Sequence, residues 1–81
     1  MPFELFSDVI LVMDLPEEDL RAGDVGTVVD RHSLRGREDG YSVEFFNMTG
    51  ETVAVVTVPA SFLRSPTPAD RPAARAMATG A

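Results

Sequence analysis

The side chains able to do chemistry in this sequence are few and scattered. His32 is the only histidine, which excludes a multi-histidine metal site within one chain. Its ordinary pKa lies near neutrality and suits a general base beside Asp30 or Ser33. Adjacent residues at a strand end point to opposite sides, however, so sequence adjacency makes no nucleophile–base pair and orients nothing around the imidazole. The acidic run Glu17-Glu18-Asp19 offers carboxylates for a cation, but calcium takes roughly six to eight oxygens in a defined loop, and that spacing is missing. The run reads as a solvated loop, whose natural contact would be an arginine- or lysine-rich protein surface. Arg31, Arg35 and Arg37, with His32, make the one locally basic patch, suited to phosphate or carboxylate through the guanidinium fork. It lacks interleaved aromatics for base stacking and runs into Glu38 and Asp39, so RNA contact through Arg31–Arg37 is the less favoured reading.

Composition removes whole reaction classes. All seven basic side chains are arginine, so there is no lysine for a Schiff base or a phosphate-cradling loop. There is no cysteine, which removes disulfides, thiolate nucleophiles and Cys-ligated zinc and is compatible with a reducing compartment. The formal net charge of −6 sets up a field that repels phosphate backbones. The expectation is a non-enzymatic protein with no catalytic, cofactor-binding or metal-binding residues and no cofactor. The longest apolar run, Val9 to Met13, is far short of the roughly 20 residues that span a bilayer, and the N-terminus lacks a signal peptide's basic flank. A cytoplasmic location is expected.

The elements that must position these side chains read as strands. With 81 residues there is room for one domain, and a chain of this size buries only about 60% of its unfolded surface. Phe3, Leu5 and Phe6 precede Asp8–Met13, whose continuous hydrophobicity predicts a strand covered on both faces, by the core and by the N-terminal segment or a partner. Asp14–Ala22 forms a long acidic loop with one helical turn starting at Pro16, pinned to the sheet by Leu15 and Leu20. Gly23 supplies the backbone freedom to end that loop. Gly26 permits a bulge or close approach at the start of a strand over Val25–Arg31. A polar loop follows, then a strand with Tyr41, Val43 and Phe45 on one face, Ser42 and Glu44 on the other, and Phe46 left for the surface. A glycine-containing hairpin leads to Thr52–Val58, which Pro59 stops. Pro59–Phe62 reads as a short 3₁₀ turn and Leu63-Arg64 as the stub of a fifth strand. From residue 66 to 81 the composition turns to proline and alanine, and a disordered tail is expected, with at best transient helix in 73–78.

Five short strands at this spacing predict an all-β fold, a small five-stranded barrel with a 3₁₀ turn before its last strand, over residues 1–65. Val58-Pro59-Ala60-Ser61-Phe62-Leu63 resembles the segment that forms the 3₁₀ turn and last strand of SH3 domains. A fuller pattern adds Asp14-Leu15-Pro16, Gly23-Asp24-Val25-Gly26-Thr27-Val28-Val29 and Gly40-Tyr41-Ser42-Val43-Glu44-Phe45. It resembles a family of short bacterial proteins, catalogued as domain-of-unknown-function family 4926, which implies an SH3-like barrel and no activity. The Gly-Asp-x-Gly-Thr-Val core is also similar to hairpins of other SH3-like barrels, including KOW-type modules and the small barrel of the nitrile hydratase β subunit. The SH3 resemblance implies a peptide-capturing face between the long first loop and the 3₁₀ turn. Glu17, Glu18 and Asp19 would supply its acidic part, and Pro59 and Phe62 part of its apolar wall, without the usual tryptophan. These residues, with Phe46, are the candidate partner-binding set. The expected partner is a protein of unknown identity. A second copy is a candidate, because the N-terminal segment, the first strand and Phe46 offer more apolar area than a small barrel hides. The alternative is an antitoxin-like or regulatory partner of a basic toxin or enzyme, and nucleic acid or membrane is not expected.

Overall fold

The computed structural model describes residues 3–33 and 35–76. Among them five strands form one antiparallel sheet: β1 (Asp8–Leu11), β2 (Val25–His32), β3 (Gly40–Phe46), β4 (Thr52–Pro59) and β5 (Leu63–Arg64). The strand order is β4-β3-β2-β1-β5. The sheet curls into the half-barrel of an SH3-like fold, with a 3₁₀ turn over Ala60–Phe62 immediately before β5. A second 3₁₀ turn occupies Pro16–Glu18 with proline at its start, where the missing N–H would have had no partner. Every strand expected from hydropathy is present. The first ends at Leu11, two residues before the end of its apolar run.

Alternation along β3 builds the core. Tyr41, Val43 and Phe45 are buried, and Val9, Leu11, Leu20, Val28, Val58 and Leu63 pack around them. The Tyr41 hydroxyl accepts a hydrogen bond from the Phe3 backbone N–H at 3.0 Å, and the two rings meet edge to face at 5.2 Å between centroids. That contact folds Phe3 over one end of the barrel and gives the buried phenol its partner. Leu5 and Phe6 do not follow Phe3 inward; both are exposed.

Gly26 takes a conformation open to any residue, and its requirement is space. A side-chain carbon there would lie 2.5 Å from Val43 Cγ1 and 2.9 Å from Phe45 Cε2. The strand–strand approach expected of this glycine is therefore present. The register break in β2 falls elsewhere, between Val28 and Asp30. Gly23, by contrast, has φ +97°, the left-handed region where L side chains are strained. It closes the long loop, donating its N–H to the Leu11 carbonyl at 2.8 Å.

Beyond β5, residues 65–76 form neither helix nor strand and bury no apolar side chain, as their composition predicts. Polar contacts nonetheless hold them. Arg64 makes a two-pronged ion pair with Asp70 at 2.7 and 2.9 Å, and Arg75 reaches Asp24 at 2.5 Å. The Asp70 carboxyl is held well below the usual carboxylate range, first by the Arg64 hydrogen bonds and then by the Thr67 N–H. The end of the transient helix expected over 73–78 lies outside the described residues.

Candidate functional site

The long loop between β1 and β2 is a braced element. Leu15 and Leu20 exchange backbone hydrogen bonds at 2.8 and 3.1 Å across its base. The Leu20 side chain is buried in the core and Leu15 packs against it. The Asp14 carboxylate accepts the Ala22 N–H, and Asp24 accepts that of Arg21, both at 2.9 Å. Asp19 closes the 3₁₀ turn in a left-handed conformation, its N–H donating to the Pro16 carbonyl. A loop tied at so many backbone points presents Glu17 and Glu18 from a fixed position, at little entropic cost to a partner.

Opposite this loop runs β4, the edge of the sheet. A groove of about 640 Å³ separates the two, lined on the loop side by Leu15, Pro16, Glu17 and Glu18 and on the other by β4 residues 55–59 and Phe62. Of the six candidate residues, four meet here: Glu17, Glu18, Pro59 and Phe62. The remaining two lie elsewhere. Asp19 sits on the tail side of its loop, its carbonyl accepting from the Arg75 guanidinium at 3.1 Å. Phe46 stands exposed at the far end of β3, paired with Thr52 beside the 47–51 hairpin.

What the sequence reading passed over is β4 as a wall of the site. Its signal was present: from Thr52 to Phe62 no residue is ionisable. That is unusual for a surface strand in a chain of which a quarter is charged.

His32 has an orienting neighbour after all. Its Nε2 lies 3.0 Å from Ser42 Oγ, and Ser42 Oγ lies 2.8 Å from Thr57 Oγ1. Register brings these side chains together from three strands, a cross-strand proximity that sequence distance hides. Asp30 Oδ2 approaches the same Nε2 at 3.9 Å. In a catalytic triad the acid and the nucleophile hold opposite ring nitrogens, so this cluster is a polar ladder on the sheet face. Arg31, Arg35 and Arg37 are all exposed, and Arg37 with Glu38 borders a second concavity of about 530 Å³. Glu38 is engaged: it accepts the Ser61 N–H at 2.8 Å and the Ser61 hydroxyl at 3.0 Å, which ties the polar loop to the 3₁₀ turn. Among the described residues no group of carboxylates and histidines could hold a metal ion, and no helix is long and apolar enough to cross a membrane.

Residues 5–65 match the model of the family described as Domain of unknown function (DUF4926), and the chain belongs to that family. No curated protein and no solved structure matches it.

Proposed function

We propose that this member of the DUF4926 family is a non-enzymatic, cytoplasmic protein-interaction module whose docking face is the groove between the long acidic loop and β4 with its following 3₁₀ turn. The observation that carries the reading is the convergence of Glu17, Glu18, Pro59 and Phe62 on one groove with Leu15 and Pro16. Two carboxylates at the rim of an apolar trough complement a partner that combines a cationic side chain with apolar ones. The braced loop supplies preorganisation, and the net charge of −6 favours a basic protein surface over a phosphate backbone.

The test compares what the wild-type chain and the Glu17→Lys, Glu18→Lys double variant retain from an extract of the source cell. Both positions are exposed, so the double variant is expected to keep the fold, which thermal melting checks. A partner held at low salt by the wild type and lost by the variant is the expected result. Identical retention by both would move the docking face elsewhere.

Self-association is the second reading, favoured by the exposed Leu5, Phe6 and Phe46. Light scattering over a range of concentrations tests it, and a monomer at high micromolar concentration would remove it.

A further inference from the structure

The parity of the β3–β4 ladder has a chemical consequence along the groove. Ala60 donates its N–H to the Asp39 carbonyl at 2.9 Å, continuing the register in which Tyr41 faces Val58, Val43 faces Val56 and Phe45 faces Ala54. In an antiparallel ladder, hydrogen-bonded and non-hydrogen-bonded pairs alternate. Ala54, Val56 and Val58 therefore spend their backbone groups on β3, while those of Val55 and Thr57 point away from it; beyond Ala54 a bulge breaks the register and leaves Val53 without a partner on β3. These belong to the edge strand of the sheet. The opposite edge, β5, is two residues long; β4 is eight, with its proline only at the last position. Of the usual protections of an open edge, β4 has no internal proline, no lysine and no inward charge; its bulge lies at the far end, before Ala54, and leaves residues 54–58 in unbroken register with β3.

Val55 and Thr57 also wall the groove, with Glu17 and Glu18 across from them. We propose that the groove takes an extended segment of a protein partner as an added strand on the open edge of β4, a basic side chain of that segment lying against Glu17 and Glu18. The inference rests on the groove reading above and specifies how the partner is held. Main-chain hydrogen bonds to Val55 and Thr57 supply affinity, and the acidic rim selects the segment's charge.

Charge argues that the occupant is a different protein. If two copies paired through β4 about a two-fold axis at Val55, the end carrying Glu17 and Glu18 in one copy would face Glu51 of the other, four residues from the axis on the opposite side. With the axis at Thr57, the two acidic loops would face each other. Like charges set together in this way oppose the contact, whereas an arginine- or lysine-bearing strand meets none of this repulsion.

The probes are synthetic peptides of about ten residues: one alternating valine and threonine with a central arginine, the same peptide with glutamate for arginine, the arginine peptide N-methylated at alternate amides, and an arginine-containing proline-rich peptide. Binding is read by fluorescence anisotropy, and backbone protection by hydrogen exchange resolved at individual amides. The arginine peptide is expected to bind and to slow exchange at Val55 and Thr57. N-methylation on the face towards β4 should abolish binding, and Glu17→Lys with Glu18→Lys should weaken it about tenfold while admitting the glutamate peptide. Val55→Pro, which removes an outward N–H without touching the β3 ladder, should act like N-methylation.

Equal binding of the N-methylated peptide, or binding of the proline-rich peptide with no protection of β4, would overturn strand addition and leave the groove reading standing. Protection of β4 that grows with protein concentration alone would assign the edge to a second copy and overturn the proposal. Failure of the arginine peptide to bind at millimolar concentration would also overturn it. The extract comparison decides the groove reading separately.

Discussion

Replacing Gly26 with alanine tests the close approach of β2 to β3. The added carbon would sit 2.5 Å from Val43 Cγ1, about 0.9 Å inside an ordinary contact of 3.4 Å, and 2.9 Å from Phe45 Cε2 and 3.0 Å from the Glu44 carbonyl oxygen. Val43 and Phe45 are core side chains and Glu44 O is backbone, so none of the three retreats freely. Forcing an extra methyl into such a site costs typically about 1–3 kcal/mol. Alanine's advantage over glycine in a strand returns about 0.5–1 kcal/mol of that. Gly40→Ala is the matched control. That glycine is also buried in a strand, yet its added carbon would find nothing closer than 3.8 Å. It keeps the backbone gain without the clash and should be neutral or slightly stabilising. The expected gap between the two variants is about 2 kcal/mol. At about 4–8 °C per kcal/mol for a domain of this size, that is a difference of roughly 8–16 °C in melting temperature. Urea titration of both, with unchanged slopes confirming a comparable unfolded state, measures it directly. Gly26→Ala melting within a degree or two of Gly40→Ala would show that β2 and β3 do not approach as described and that the core around Val43 is placed wrongly.

Val43→Asp buries a carboxylate where the side chain is 0% exposed and where no polar or charged residue is buried among the described residues. It should abolish the cooperative melt, and a wild-type transition would refute the core assignment. Acid should release the tail in a defined window. Because the folded Asp70 carboxyl titrates below its ordinary value, its contribution is fully present above the unfolded value near ~3.9. The contribution is lost only as pH falls through the lower, folded value. The Thr67 amide, which donates to Asp70 at 2.7 Å, should hold its NMR shift from neutrality to mild acid and move below that range. In Asp70→Asn the acid-driven movement should vanish, and an Asp70 that titrates at the ordinary aspartate value would show that the Arg64 bridge does not persist.

The scaffold was legible because its determinants are local or periodic. The alternation of Tyr41, Val43 and Phe45 marks a half-buried strand, Pro59 ends the strand before it, and Gly23 needs a backbone conformation that few residues adopt. Legibility fell off where proximity depends on register. His32 and Ser42 lie ten residues apart in sequence yet meet at 3.0 Å. Arg75 and Asp24, 51 apart, are joined by a guanidinium–carboxylate hydrogen bond that no local pattern signals. Phe46 shows the converse: an exposed aromatic is evident from a break in alternation, but which face of the molecule it serves is decided by the hairpin that follows it. For the groove, the acidic loop and the 3₁₀ turn each carry a recognisable local pattern, and they do converge. The strand between them reads from sequence as scaffold alone, because an uncharged β-branched run looks the same at the centre of a sheet as at its edge. Only the strand order separates the two cases. It turns Thr52–Pro59 from ordinary core material into a strand whose outward backbone groups face the acidic loop.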